Sequence, residues 1–491
     1  GALRAINGNQ VGGANIASKG PGTEIWSFMP PEFWGELDRL RTNTDTVKFP
    51  ATGPSAGASG SLKAYGMDGI ITAYEGTVNN VDDKRFIYAT MRRGGRSVYA
   101  FDVTTVGTPV LAWKRGCQDG ACTPDEANGE SWADIGMTWS PATVTETAGH
   151  SNPVIVMGGG YDDCEDVDLG TSMANHGCAS TDWGNNVYVI DAGTGELLKT
   201  LPTDRPVPGG VTIVPVSKND LNMTFAYAAD TGGNVYRISG PLSSGVAAPI
   251  GSNLPSTWEI KKIASFGCGT TATTGCTANR KFMFGPDVAK PNGTTGQYRI
   301  LIGSGDREKP LYSYSSTYGV QNYFFSFLDK PGVAGWMNDV GNACGADVLC
   351  RARLDLVSSV SLTAPTLSSD YGYYLQLAAG EQVVTSALVL NNVANFSTHI
   401  PVTPVAGVCD SDLGTATTYN VDFEQADGKT INIVTGGLPP SPVGGMVLID
   451  GDEVPFCIGC GGEGSPIGGS GTGSGSNLDA PMGRVYWKIQ E

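Results

Sequence analysis

The sequence predicts an all-β protein built as a β-propeller, and three observations support this prediction. Short alternating strands bounded by Gly, Asn, Asp and Pro recur along the chain, whereas helical periodicity is almost absent. Glycine and proline, which form turns, supply 69 and 29 of the 491 residues. One strand unit repeats at irregular spacing, which is typical of sheets arranged radially with short edges. A β-sandwich array is the rival architecture.

The repeated unit is a short strand, followed in its clearest copy by an Asp-x-x-Thr-Gly turn. This copy is Val187–Glu196, with the turn at Asp191–Gly195. Alternate side chains can face a core, the Asp can accept turn N–H groups and Gly can adopt a positive φ. The next strand can therefore return antiparallel. The other copies are 71–76, 98–104 and 235–240, and weaker matches to the unit are 3–8, 419–423 and 485–489.

Few segments depart from the strand pattern. Pro31–Thr42 predicts a helix, because Phe33, Leu37 and Leu40 repeat at helical spacing after a proline pair. Residues 461–477 are rich in Gly and Ser and predict a flexible loop. No composition shift separates two domains, so residues 1–491 are predicted to form a single propeller domain with long loop insertions.

Composition and charge exclude several functions. Asp and Glu exceed Lys and Arg by 48 to 31, which gives a net charge of −17. Binding to nucleic acid or to anionic membranes is disfavoured, because both require a basic surface. The three histidines, His150, His176 and His399, leave little room for zinc or Ser-His-Asp chemistry. No apolar run is long enough for a transmembrane helix.

The eleven cysteines indicate an oxidising compartment. Ten of them form close pairs that are predicted to be disulfides pinning loops, and Cys409 is left over. Cys457-Ile-Gly-Cys460 also has the spacing of a zinc or redox motif, but no thioredoxin-like pattern surrounds it. The predicted pairs are Cys117/Cys122, Cys164/Cys178, Cys268/Cys276, Cys344/Cys350 and Cys457/Cys460.

One loop concentrates acidic residues beside Cys164. It contains Glu165 and four aspartates, and carboxylates this close repel one another unless solvent, Lys/Arg or a cation intervenes. Two interpretations stay open: a solvated acidic loop, or a calcium site without the bidentate Glu of an EF-hand. The candidate calcium ligands are Asp162, Asp163, Asp166 and Asp168.

Several segments, in chain order, carry the patterns of one known family. Arg92–Thr104 is similar to a Gly-Gly-Arg-x-x-Tyr-Ala-Leu-Asp-Val-Thr pattern, and Ala226–Arg237 to Tyr-Ala-Gly-Asp-x-x-Gly-Asn-x-Trp-Arg. Gly1–Asn7, Gly22–Pro31 and Ile155–Tyr161 add further similarity. With these segments, most of the chain resembles the C-terminal β-propeller of the PilC/PilY family of type IV pilus biogenesis and tip-adhesin proteins.

The resemblance implies a modified seven-bladed propeller at the end of a longer secreted precursor, with the chain starting inside the first blade. It implies a non-catalytic protein that reaches the pilus tip or outer surface through the periplasm. There it would support pilus assembly with minor pilins, oppose retraction, and mediate adhesion to host or abiotic surfaces. No organic cofactor is expected.

The resemblance also marks the position of a calcium loop that many family members carry. The matching positions are 216, 218, 220, 222 and 224, and only Asp220 retains a carboxylate there, whereas Lys218 places a cation where a ligand is needed. The family calcium loop is therefore predicted to be lost, with Asp220 serving a structural turn.

Two alternatives share the propeller fold. The first is a quinoprotein-like periplasmic dehydrogenase, which the absence of a Cys-Cys pair and the irregular tryptophans disfavour. The second is a secreted ligand-binding propeller unrelated to pili. A hydrolase is disfavoured because Gly303-Ser304-Gly305-Asp306 lacks the strand–elbow–helix context of a nucleophile elbow.

Overall fold

The strands that the sequence predicts dominate the chain. A computed structural model describes residues 1–48, 60–118, 120–166, 183–217, 220–268, 279–291, 293–337, 344, 347–403, 413–433, 436–449 and 452–461. These residues fold into two compact units. The first unit comprises the described residues up to Val211 together with Ile250–Trp258, and the second comprises the other described residues from Thr212 onward.

The described strands of the first unit pair within sheets whose neighbours are consecutive in the chain. They are β1 (Leu3–Ile6) with β2 (Glu24–Phe28), β3 (Val47–Lys48) with β4 (Ser61–Leu62), the sheet β5 (Ile71–Val78), β6 (Val81–Thr90), β7 (Ser97–Asp102), β8 (Val110–Gln118) and β9 (Ala121–Cys122), and the sheet β10 (Thr143–Thr145), β11 (Val154–Gly158), β12 (Asn186–Asp191) and β13 (Leu197–Pro202).

The described strands of the second unit begin at Thr212. In chain order they are β14 (Thr212–Ser217), β15 (Asp220–Ala229), β16 (Asn234–Ser239), β17 (Leu242–Ser243), β18 (Val246–Ala247), β19 (Glu259–Ser265), β20 (Asp287–Ala289), β21 (Tyr298–Gly303), β22 (Tyr323–Asp329), β23 (Leu349–Cys350), β24 (Asp355–Val357), β25 (Gly372–Gln376), β26 (Gln382–Val383), β27 (Leu388–Leu390), β28 (Val393–Ile400), β29 (Thr415–Asp422), β30 (Gly428–Ile433), β31 (Val443–Ile449) and β32 (Asp452–Ile458).

These strands of the second unit form three larger sheets and two hairpins among the described residues. The larger sheets have the orders β14-β15-β16-β19-β23, β20-β21-β22-β25-β24 and β26-β28-β29-β30, with β27 extending the β26 edge of β28. The hairpins are β17-β18 and β31-β32. The added strands β23 and β24 run parallel to their neighbours, whereas the other pairings in these sheets are antiparallel.

The larger sheets of both units share the plan of a propeller blade, which is a run of four antiparallel strands. The repeated sequence unit occupies the third strand of this run in β7, β12, β16 and β29. Val98 and Val187 lie near the starts of two such strands and are fully buried. In these four copies the unit is the third strand of a blade, whereas the copy at 71–76 lies on β5, the first strand of its sheet. The predicted all-β propeller class is confirmed.

The predicted turn after β12 has the expected structure. The Oδ1 atom of Asp191 accepts hydrogen bonds from the N–H groups of Gly193 and Thr194, both at 2.8 Å. Gly195 has φ +73°, the left-handed conformation that a side chain disfavours. The Asp therefore ends the third strand and reverses the chain into β13.

Apolar sheet faces pack against one another within each unit. In the first unit, Trp132 stacks on Tyr188 with ring centroids 5.6 Å apart. In the second, Phe266 stacks on Phe325 at 4.3 Å and Phe324 on Phe396 at 3.8 Å. These side chains are fully buried, and aromatic stacking adds to the stabilisation that burial of their apolar area provides.

The described helices are short. The two α-helices are α1 (Leu37–Thr42) and α2 (Ser315–Gly319), and the 3-10 segments are Pro31–Glu36, Arg92–Gly94, Asp163–Asp166, Pro255–Thr257 and Arg351–Arg353. The predicted helix Pro31–Thr42 is thus half 3-10 and half α-helical. Its spacing does not create a buried face, because Leu37 and Leu40 remain exposed and only Phe33 packs against a core cluster.

Three of the predicted disulfides lie wholly within the described residues and are formed: Cys117–Cys122, Cys344–Cys350 and Cys457–Cys460. Cys164 and Cys268 are also disulfide-bonded. Each bond between described cysteines closes a loop of at most six residues, so it fixes a local connection. The predicted partners Cys178 and Cys276, the leftover Cys409, Asp168, and residues 462–477 and 482–489 lie outside the described residues.

Candidate functional site

The acidic loop follows β11 in the first unit, and its described residues occupy different environments. Asp162, Glu165 and Asp166 are buried, whereas Asp163 is exposed. Residues 163–166 form a 3-10 turn, which directs neighbouring carboxylates in different directions. The structure therefore separates the candidate calcium ligands that it describes instead of gathering them around one point.

Asp166 is neutralised by an arginine that the sequence analysis did not identify. Nη1 and Nη2 of Arg93 donate to Oδ2 and Oδ1 of Asp166, at 2.8 and 2.7 Å, and the Tyr161 hydroxyl donates to Oδ1 at 2.8 Å. The Arg93 guanidinium also lies 5.1 Å from the Trp139 ring, which stacks on Tyr161 at 4.5 Å. A bidentate pair of this kind is strong and fixes both side chains.

Asp162 is held by backbone groups. It accepts hydrogen bonds from the N–H groups of Cys164 and Trp183, at 3.0 and 3.3 Å. Burial raises the pKa of Asp162, and the nearby charges of Asp163 and Glu165 raise it further, against the lowering effect of these bonds. Among the described residues no three His, Cys, Asp or Glu side chains are grouped to hold a metal. The calcium site stays a prediction, and a cation at Asp166 would compete with Arg93.

Asp220 begins β15, directly after the β14–β15 turn. Its N–H donates to the Ser217 hydroxyl at 3.1 Å, and its Oδ1 accepts from the N–H and the Nδ2 of Asn222, at 3.1 and 2.9 Å. Ser217 and Asp220 are partners in the β14–β15 register. The carboxylate therefore accepts local hydrogen bonds at the start of β15, and the loss of the family calcium loop stays a prediction.

A cavity of about 340 Å³ lies in the second unit, within the range typical of small-molecule sites. Its wall includes Arg237 on β16 and Asp329 at the end of β22. Nη1 of Arg237 donates to both oxygens of Asp329 at 2.8 and 2.9 Å, and the Tyr227 hydroxyl donates to Oδ2 at 2.9 Å. Burial raises the pKa of Tyr227, and the Asp329 carboxylate raises it further.

Asp329 departs from the role of the aspartates that end other third strands. Asp102, Asp191 and Asp422 each accept N–H groups of the turn that follows. Asp329 instead faces Arg237 across neighbouring sheets, and its side chain is fully buried. The same sequence position thus serves a turn in three sheets and an ion pair beside a cavity in the fourth.

Two further cations line the cavity. Lys261 donates to Asp347 at 3.0 Å, and the Lys330 ammonium lies 3.9 Å from the centre of the Trp336 ring. Trp336 Nε1 is buried and has no acceptor among the described residues. The cavity therefore combines an aromatic face with hydrogen-bond donors, an arrangement suited to binding a polar ligand.

A second buried charge cluster contains Asp306 between two lysines. The Lys281 and Lys309 ammonium groups lie 3.2 and 2.9 Å from Asp306 Oδ2, and all three side chains are at most 5% exposed. Ser304, two residues earlier, donates its hydroxyl to Asn322 Oδ1 at 3.0 Å. The Gly303–Asp306 motif therefore anchors the strand end, in agreement with the interpretation that it is not a nucleophile elbow.

The two described histidines also have structural partners. His150 Nε2 lies 2.8 Å from Oδ2 of Asp191, the aspartate that caps the β12–β13 turn. His399 on β28 is buried, and its Nε2 lies 2.8 Å from the Leu413 carbonyl oxygen. Both imidazoles therefore tie loops to strands.

Part of the chain matches a known protein family. Residues 41–248 match the family model described as the PilY1 beta-propeller domain. These residues are therefore similar to the PilY1 beta-propeller domain. This match spans β3 to β18 and includes the segments Arg92–Thr104 and Ala226–Arg237, so the predicted resemblance to the PilC/PilY family is confirmed. The match supports an association of the protein with type IV pili.

The fold likeness extends beyond the matched residues. The C-terminal domain of PilY1 from Pseudomonas aeruginosa is similar over 89% of this chain and 87% of that chain, with a TM-score of 0.57 at 15% identity. A quinohemoprotein alcohol dehydrogenase from Pseudomonas putida HK5 is 11% identical over 90% of this chain and 59% of its own, with a TM-score of 0.38. The PilY1 likeness therefore supports the fold, and the dehydrogenase carries no argument.

Two further findings complete the comparison. A search among curated protein sequences found no match to the chain. Within the described part of the chain, every helix is too short or too polar to cross a bilayer.

Proposed function

We propose that the protein is a non-catalytic component of the type IV pilus tip that supports pilus assembly, opposes retraction and mediates adhesion. The match of residues 41–248 to the PilY1 beta-propeller domain carries this proposal. The structural roles of Ser304, His150 and His399 are consistent with it, because each side chain serves a turn or a strand end. The protein acts at the outer surface, which it reaches through the periplasm, and its partners are minor pilins.

We further propose that a pilin strand docks at the outer edge of β8. Residues Val110–Arg115 pair with β7 on one side, and β8 pairs beyond β7 only through Cys117 and Gln118 among the described strands. Val110 and Leu111 are 61% and 47% exposed. An open edge with apolar side chains is a template for strand addition.

The outer edges of two other sheets lack large exposed apolar side chains. β13 and β30 are also the last strands of their sheets, yet neither carries a large exposed apolar side chain. Strand addition needs both unpaired backbone groups and pockets or side chains that contact the added strand. Among these three described edges, β8 is therefore the one that meets both requirements.

The double substitution Val110→Lys and Leu111→Lys is expected to weaken binding of purified minor pilins about tenfold or more, because lysines protect a strand edge from further pairing. Surface plasmon resonance with immobilised minor pilins measures the affinity. Leu254→Lys is the matched control, since Leu254 is 58% exposed and lies outside the strands. Equal affinities of wild type and the double variant, with unchanged thermal unfolding, would contradict the proposed edge.

A further inference from the structure

Two arginines of the second unit are buried around one tyrosine. Arg280 and Arg351 are 6% and 9% exposed, and their guanidinium carbons lie 4.7 and 4.5 Å from the centre of the Tyr323 ring. Arg351 also lies 5.4 Å from the ring of Tyr374, which is half-buried. Arg351 opens the 3-10 turn that directly follows the Cys344–Cys350 disulfide, so its backbone is fixed.

The two guanidinium groups differ in how their donors are satisfied. Arg280 donates Nε to the Gln321 carbonyl oxygen at 2.6 Å, and Nη1 to the carbonyl oxygens of Phe266 and Gly267 at 3.1 and 3.0 Å. By contrast, Nε and Nη1 of Arg351 are buried and have no acceptor among the described residues. Burial and, to a smaller extent, the like charge of Arg351 lower the pKa of Arg280 to about 10.

Arg351 differs from three other buried cations of this protein, and it shares its two buried donors without an acceptor with Arg299. Arg93 pairs with Asp166, Arg237 with Asp329, and Lys281 with Asp306. No carboxylate of the described residues forms an ion pair with Arg351. A buried guanidinium with unmet donors is costly, and the tyrosine rings offset only part of that cost by cation–π contact.

We propose that Arg351, supported by Arg280, binds a small oxyanion such as phosphate or a carboxylate. A planar guanidinium presents its N–H groups in a geometry that matches both anions. The rings of Tyr323 and Tyr374 contact the guanidinium and hold it in place. This site is separate from the cavity beside Arg237, from the β8 edge and from the acidic loop.

The experiment measures thermal unfolding of the whole protein against sodium phosphate and, separately, sodium acetate, with sodium chloride keeping the ionic strength constant. We expect the unfolding temperature of the wild type to rise and saturate with at least one of the two oxyanions. Saturation with phosphate alone would indicate a site selective for a tetrahedral anion. Saturation with both salts would indicate a site that binds oxyanions in general.

Substitutions of Arg351 test whether the rise in unfolding temperature depends on this residue. Arg351→Met is expected to raise the apparent dissociation constant of the oxyanion about tenfold or more. If the methionine variant does not fold, Arg351→Lys, which keeps the positive charge, replaces it in the experiment. Arg93→Met is the matched control, because Arg93 is similarly buried and also contacts aromatic rings, and it should keep the wild-type constant. No saturable shift beyond chloride, or the same shift after Arg351 is replaced, would overturn the proposal.

Discussion

Replacing Asp329 with Asn is expected to lower the free energy of unfolding by about 3–5 kcal/mol, because it leaves the buried Arg237 without a counter-charge. Arg237 and Asp329 are 7% and 0% exposed, so the guanidinium that remains is solvated far less than at the surface. The Tyr227 hydroxyl, which donates to the same carboxylate, also loses a charged acceptor. Equilibrium unfolding in urea, followed by tryptophan fluorescence, measures the change.

Two further variants test whether the loss of stability in Asp329→Asn comes from breaking a buried ion pair. Glu75→Gln breaks the pair between Arg85 and Glu75, whose side chains are 50% and 62% exposed, and should cost less than about 1 kcal/mol. The double variant Arg237→Met and Asp329→Leu should recover most of the loss, because a hydrophobic pair can replace a buried ion pair. Equal effects of Asp329→Asn and Glu75→Gln would contradict a buried, structurally important pair.

Replacing Asp306 with Asn is expected to cost about 3–5 kcal/mol at neutral pH, because two buried lysines then lack their shared carboxylate. Burial alone would raise the pKa of Asp306, but the charges of Lys281 and Lys309 outweigh burial and hold the pKa below its usual value. A depressed folded-state pKa means that the ionised carboxylate stabilises the folded state fully above the unfolded-state pKa, which is about 4.

The stability gap between wild type and Asp306→Asn should therefore narrow as the pH falls through the folded-state pKa of Asp306. Once Asp306 is protonated, the carboxylic acid and the amide of the variant are equivalent in charge. Urea unfolding at a series of pH values from neutral to acid measures the gap. Asp38→Asn, at an aspartate that is 76% exposed, should follow the wild type throughout. A gap that is independent of pH would contradict the ion triad.

Local features of the structure could be predicted from the sequence because their determinants are close in the chain. The third-strand unit, the Asp191 turn and the short disulfide loops each depend on residues within about ten positions of one another. The predicted helix shows the limit of this reasoning. Spacing identified the helical residues correctly, but whether Leu37 and Leu40 are covered depends on distant parts of the chain.

Two of the buried ion pairs could not be predicted, because they join residues that are far apart in sequence. Arg93 and Asp166 are separated by 73 positions, and Arg237 and Asp329 by 92. Their contact depends on how neighbouring sheets pack. One signal was present, since Arg237 is a charged residue within the apolar strand Val235–Ile238, where burial requires a partner. The partner itself could be identified only from the structure.

The acidic loop shows how the structure changes an interpretation without replacing it. From the sequence, Asp166 was one of several carboxylates that needed a cation or solvent. The structure supplies the positive charge from Arg93, a residue in the segment that also carries the family resemblance. The acidic excess in this loop is therefore balanced in part by the protein itself.

The central claim is that this protein, in which residues 41–248 match the PilY1 beta-propeller domain, acts at type IV pili by binding. The most direct test is to shear pili from cells that produce the full-length protein and to detect the protein in the pilus fraction. The account predicts that the protein co-fractionates with pili, is missing from the same fraction of cells without the major pilin, and is required for normal piliation. Equal amounts in both fractions, together with unchanged piliation when the protein is absent, would contradict the claim.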